Sequence, residues 1–251
     1  MSAAVPRVGI IAALPGELAP LVKPSRSQGW TRVDAGGSIH QWERDAVQKD
    51  GRPAKWIAVC AGIGSEAATR AFAAAEKDRP LSAVLSVGWA GALNPEITPG
   101  QVLRACWVVN AQTGERFHFS PGGQSAAEVT GLVTTRRVSD ADEKARLARA
   151  YPGAGLVDME AATVGRLAAM RGISVYCFKG VSDGFGDRLP DLNPFIDDVG
   201  QFRRVKFAAR VALQPRYWSG LRALGANSTM AAGELAARVR SFLEEEIGFD
   251  E

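Results

Sequence analysis

Three carboxylates stand at strand exits or at a helix start. Glu17 follows the apolar run 8–13 in the exit segment Leu14-Pro15-Gly16-Glu17. Glu160, after Asp158 and Met159, opens an apolar helical pattern, and Asp183 sits in a Ser182-Asp183-Gly184 turn after the next apolar run. Glu160 and Asp183 therefore come from opposite ends of one helix–strand unit and reach toward one edge of a sheet. Open α/β sheets bind ligands at the carboxyl ends of their strands. Acids gathered there suit general acid–base work, and burial can raise a carboxyl's pKa enough for it to donate a proton near neutral pH.

Those acids need a scaffold, and the pattern of apolar runs predicts one. Residues 8–13, 56–61 and 83–87 read as buried strands, continuous and rich in β-branched side chains. Ser65 is a candidate cap for a helix reaching about residue 77, with an alanine-rich face. Within the polar segment 24–55, residues 38–43 and a second short run suggest a hairpin turning at Asp50-Gly51. Residues 101–111 and 131–135 read as further strands. Ser139 with Asp142 three residues on resembles a capping box for a helix to Tyr151. A helix over 159–170, stopped by Gly172, precedes a strand over 173–181, and two tail helices are expected near 201–212 and 230–246. Strands and helices alternate throughout without a repeat or linker, which predicts one α/β domain over residues 1–251.

The composition is that of an ordinary globular chain. Of 251 residues 46% are hydrophobic and 23% charged, enough for a sizeable core. The formal charge is +3 with basic residues scattered, so nucleic acid is not an expected partner. Cys60, Cys106 and Cys177 stand singly in apolar runs, without the spacing of a zinc site or a disulfide framework. They read as reduced core residues, which fits the cytoplasm, and no metal is expected. The run 8–13 is too short for a signal peptide's apolar region to be the better reading, and no run is long enough to span a bilayer.

Gly62-Ile63-Gly64-Ser65-Glu66-Ala67 satisfies GxGxx(G/A) between a strand and a helix. A dinucleotide site also needs an acid at the end of the next strand, where Val87-Gly88-Trp89 stands instead. The loop is better read as a tight turn, with N–H groups free for a small anion or polar group. No cofactor is expected.

Four segments occur together in order: VGIIAALPGEL, CAGIGSEAA, SVGWAGAL, and VDMEAA followed by KGVSDG. Spanning residues 8–183, they resemble the purine and uridine phosphorylase superfamily, nearest to the methylthioadenosine/S-adenosylhomocysteine nucleosidases. The resemblance implies a three-layer α/β/α sandwich around a central mixed, partly closed sheet. It implies cleavage of a purine nucleoside's N-glycosidic bond, no cofactor, and a homo-oligomer, often a dimer. Glu17 then stands at the position of the base that activates water and Asp183 at that of the general acid for the purine. Asp158, Met159 and Glu160 match the ribose-binding motif, and Trp89, Ala90, Val138, Ser139 and Ser182 complete the implied substrate contacts.

The chain also departs from that pattern. Trp89 replaces a small or hydroxyl residue beside the water or phosphate site, Val138 an aromatic that stacks on adenine, and Lys179 an arginine. Hydrolysis is the favoured reading, because the first loop supplies Glu17 and lacks the arginine with which phosphorylases hold phosphate. Phosphorolysis, including the hopanoid-associated type, is the alternative if Arg136, Arg137 or a partner chain supplies positive charge. A nucleoside-binding protein without turnover is the other.

Overall fold

β1 (Arg7–Ala12) is covered on both faces, and every one of its residues is buried. Its neighbours β4 (Pro53–Cys60) and β5 (Ala83–Ala92) both run parallel to it. A continuous apolar run, rather than an alternating one, is what a parallel strand between two helical layers requires. The computed structural model describes residues 5–23, 29–48, 51–121, 129–212, 214 and 217–247.

Side chains of β1 alternate between two cores. Val8, Ile10 and Ala12 face Leu18, Leu21 and Val22 of α1 (Pro15–Val22) and Leu235, Ala236 and Val239 of α6 (Trp218–Ser241). Ile11 faces Ala68, Ala71 and Phe72 of α2 (Ser65–Ala75) and Val164, Leu167 and Ala168 of α4 (Ala161–Arg171). This period of two places a helical layer on each side of the sheet, as expected for an α/β/α sandwich. Burying a side chain such as Leu18 or Phe72 contributes about 1.5–3 kcal/mol.

The sheet is mixed and partly closed. β5 also pairs in parallel with β10 (Ser174–Asp183), which runs antiparallel to β6 (Val102–Asn110). β6 then pairs with β8 (Val129–Thr134), β8 with β9 (Ala154–Asp158), and β9 returns to β5. Five strands thus form a ring. The sheet continues beyond β1 and β4 to β3 (His40–Val47) and β2 (Thr31–Asp34), while β7 (Arg116–His118) flanks β6. α3 (Ala141–Ala150) covers a smaller cluster around Leu147, Val133 and Val157.

Several local expectations are corrected. Asp158 ends a strand, β9, that the sequence pattern does not predict, and α4 begins at Ala161 rather than at residue 159. Ser182 and Asp183 belong to the end of β10, where pairing with β5 shifts between Val181 and Asp183, rather than to a turn. The cap of α3 is Asp140, whose side chain accepts from the Glu143 N–H at 2.9 Å, while the Ser139 hydroxyl is buried without a partner. Gly64, not Ser65, precedes α2. The first tail helix is α5 (Arg204–Ala212), and the last helix starts at Trp218, well before residue 230. The hairpin forms from β3 and β4, in register from His40↔Cys60 to Val47↔Pro53. Asp50 of its expected turn lies outside the described residues.

Candidate active site

Glu17 occupies the third position of α1, where a carboxylate meets the unpaired N–H groups of a helix start. Its Oε2 accepts from the N–H groups of Ala13 at 2.8 Å and Leu14 at 2.7 Å, and its Oε1 from that of Trp89 at 2.7 Å. The carboxyl thereby joins the exit of β1 to β5. Burial pushes its pKa upward, and outweighs these three N–H bonds and the Lys179 charge, which work the other way. A side chain at residue 88 would destroy the fit. Gly88 has φ +140°, and a Cβ built there would lie 2.6 Å from Glu17 Oε1.

Glu160 precedes α4, and its Oε1 accepts from the Gly64 N–H at 2.7 Å. The glycine-rich loop therefore gives a backbone donor at the start of α2 to the chain's own carboxyl. Burial, and next the charge of Asp158, push the Glu160 pKa up to about 8.

Asp158 is held by three protein donors. Oδ1 accepts from the Thr134 hydroxyl at 2.6 Å, and Oδ2 accepts from the Ala161 N–H at 2.9 Å and from Lys179 Nζ at 2.8 Å. Its side chain is 0% exposed and that of Lys179 1%. Burial opposes the Lys179 charge, but Asp158 leads the groups that raise its pKa above the ordinary lysine range. The geometry assigns Asp158 to holding Lys179 and the entry to α4.

Asp183 receives the Ser182 hydroxyl on Oδ1 at 2.6 Å and forms an ion pair through Oδ2 with Lys144 of α3. The Lys144 ammonium also donates to the Gly184 carbonyl at 2.7 Å. Lys144 is 1% exposed and was missed in the sequence. Its signal was available: it lies three residues before Leu147 on the buried side of an otherwise polar helix.

All ten residues expected at the site line one cavity of about 460 Å³: Glu17, Trp89, Ala90, Val138, Ser139, Asp158, Met159, Glu160, Ser182 and Asp183. Lys144 and Arg137 line it too, and Leu189, Leu192, Ile196, Phe202 and Leu224 add an apolar wall. Trp89 ties the cavity to α6 through its indole N–H, which donates to the Ser228 carbonyl at 2.9 Å. Its ring also approaches Gly16, where an added Cβ would lie 3.1 Å away. Arg136 lines neighbouring grooves instead.

The arrangement offers two carboxyls with raised pKa, two carboxyls each paired to an ammonium, and no cluster of metal-ligating side chains among the described residues. No described helix is long and apolar enough to cross a membrane.

Solved structures share this architecture at low identity. The Helicobacter pylori 5′-methylthioadenosine/S-adenosylhomocysteine nucleosidase with butyl-thio-DADMe-Immucillin-A is 13% identical, with a TM-score of 0.65 over 95% of this chain and 97% of that one. Futalosine hydrolase of Helicobacter pylori is 14% identical, with a TM-score of 0.65 over 95% and 97% of the two chains. Arabidopsis thaliana 5′-methylthioadenosine nucleosidase is 16% identical, with a TM-score of 0.68 over 95% and 94%. No curated protein sequence matches the chain. The sequence matches the Phosphorylase superfamily over residues 7–138, a span that carries Glu17, the glycine-rich loop and Trp89, and the chain belongs to that superfamily.

Proposed function

We propose that the protein hydrolyses the N-glycosidic bond of a purine nucleoside, an adenosine derivative with a 5′ substituent of the methylthioadenosine or S-adenosylhomocysteine kind. The observation that carries this is the convergence of Glu17, Glu160 and Asp183 on one cavity large enough for a nucleoside. Breaking the C1′–N9 bond leaves positive charge on the sugar and negative charge on the purine. Glu160 accepts the ribose hydroxyls beside that positive charge. Asp183 faces the purine and assists its departure, and Glu17 takes a proton from the attacking water. This divides the work as glycosidases do, one acid for the leaving group and one base for water. The apolar wall of Leu189, Leu192, Ile196, Phe202 and Leu224 suits the thioether stem that such 5′ substituents share. The names of the similar structures, two kinds of nucleoside hydrolase, support the same reading.

Hydrolysis is favoured over phosphorolysis by what surrounds Glu17. The N–H groups of Ala13, Leu14 and Trp89, which an anion would seek, are already bonded to its carboxyl. The nearby cation, Lys179, is held by Asp158. Phosphorolysis draws its support from Arg137, which lines the cavity and whose guanidinium has no partner among the described residues. The family resemblance further proposes a cytoplasmic homo-oligomer, often a dimer.

The test is product analysis by chromatography with methylthioadenosine, S-adenosylhomocysteine, adenosine and inosine, each with and without phosphate. Free base and free sugar without phosphate are expected. Base release only with phosphate, yielding a sugar 1-phosphate, makes the protein a phosphorylase. Saturable binding without base release makes it a nucleoside binder.

A further inference from the structure

A carboxylate that is already ion-paired has no proton of its own to give, yet a departing purine needs one. Asp183 is in this position. Its Oδ2 pairs with Lys144 and its Oδ1 accepts from Ser182. Lys144 is 1% exposed and reaches Asp183 from a different element, α3, across β5. The crossing is tight: a Cβ added to Gly91 would lie 2.9 Å from both Asp183 Oδ2 and Lys144 Cε. Fully burying a lysine is costly unless it is paired and hydrogen-bonded. Leu147 shows that an apolar side chain fits the same helix face.

We infer that the leaving-group acid is the Lys144–Asp183 pair, with Lys144 as a positioning residue that holds the proton Asp183 delivers. The inference rests on the nucleoside-cleaving reading above and deepens it. The C1′–N9 bond breaks and its electron pair stays with the purine. Asp183 hands a proton to a purine nitrogen as Nζ of Lys144 supplies one to Asp183, leaving a neutral amine. Water adds its oxygen to C1′ and loses a proton to Glu17. Solvent then removes the proton from Glu17 and returns one to Lys144 after the products leave.

The test uses two nucleosides: adenosine or its 5′-thio derivative, whose base needs a proton to leave, and a 7-methylated purine nucleoside, whose base departs already neutral. For Lys144→Met we expect turnover of the first to fall about 100-fold or more, the range of general acid assistance, with KM little changed. Turnover of the second should stay within about threefold of the parent, since that base leaves without the help the substitution removes. An equal loss on both nucleosides, or no loss on the first, overturns the inference. Because Lys144→Met leaves Asp183 unpaired, the charge-balanced double variant Lys144→Met/Asp183→Asn is the second measurement. If the two residues act as one unit, its turnover matches that of Asp183→Asn alone; losses that multiply overturn the pairing. Base release by the parent protein from neither nucleoside refutes the proposed function itself, and is distinguishable from a failure confined to Lys144.

Discussion

The Glu160 carboxyl and the Gly64 N–H are 96 residues apart in the chain and 2.7 Å apart in space. This bond seats an acid at the N-terminus of α2, where the backbone favours negative charge. Burial and Asp158 oppose the charge more strongly, and the pKa rises to about 8.

A stability test follows from that balance. The ordinary value is 4.5, so the folded protein holds a proton on Glu160 that the unfolded chain releases. The cost of ionising the folded form is absent below about pH 4.5, grows as pH rises, and is complete above about pH 8. Its slope is at most about 1.4 kcal/mol per pH unit. Asp158, Lys179 and Glu17 face the same carboxyl and remain in a Glu160→Gln variant. Thermal melts from pH 5 to pH 9 should therefore show the parent losing stability relative to Glu160→Gln as pH rises. Parallel curves would falsify the raised pKa.

Gly88 leaves room for Glu17, the proposed water base. Gly88→Ala places a Cβ 2.6 Å from Glu17 Oε1 at a φ of +140°. Backbone strain of this kind costs on the order of 1–3 kcal/mol. We expect a lower melting temperature and at least tenfold lower turnover, because Glu17 must leave the three N–H groups that hold it. A variant with parental turnover shows that this seating does not matter for the reaction.

The roles proposed for Glu17 and Asp183 separate turnover from binding. For Glu17→Gln we expect hydrolysis to vanish while a nucleoside analogue still binds in calorimetry. Asp183→Asn should reduce turnover far more than it weakens binding. Retained hydrolysis in Glu17→Gln moves the water base elsewhere, and near-parental rates in Asp183→Asn remove its role at the purine.

Lys179 and Asp158 form a buried pair with no exposure to speak of, 1% and 0% for the side chains. Removing one partner leaves an uncompensated charge and costs about 3–5 kcal/mol. Lys179→Met should show a loss of that size in urea unfolding, and the double variant Lys179→Met/Asp158→Asn should recover part of it. A single variant as stable as the parent contradicts the pairing.

Much of the architecture can be read from the chain because its driving forces are local. Ile10 and Ile11 sit in a run apolar on both faces, which only a strand between two layers can bury, and the Pro15-Gly16 exit locates the strand end that carries Glu17. The residues that were missed take their roles from distant partners. Lys144 reads as a helix surface lysine until Asp183, 39 residues later, gives its ammonium an acceptor. β9 has only five residues and runs directly into Met159, so its extended form depends on pairing with β5 and β8. The first half of α6 contains glycines and no clear apolar stripe, and one of its anchors is the Trp89 bond to Ser228. Asp140 takes the cap expected of its neighbour Ser139, because its side chain is the one that meets the Glu143 N–H.

The ring of β5, β10, β6, β8 and β9 also bears on how such a protein can change. Asp183 ends one of its strands, Trp89 lies in another, and Glu160 follows a third. A ring has no loose edge, so shifting one strand's register disturbs its neighbours all the way round. The 189–202 segment and α6 lie outside the ring and supply most of the apolar wall. Substitutions there can accumulate with little effect on the acids, so a lineage can acquire a new substrate preference while inheriting its chemistry unchanged.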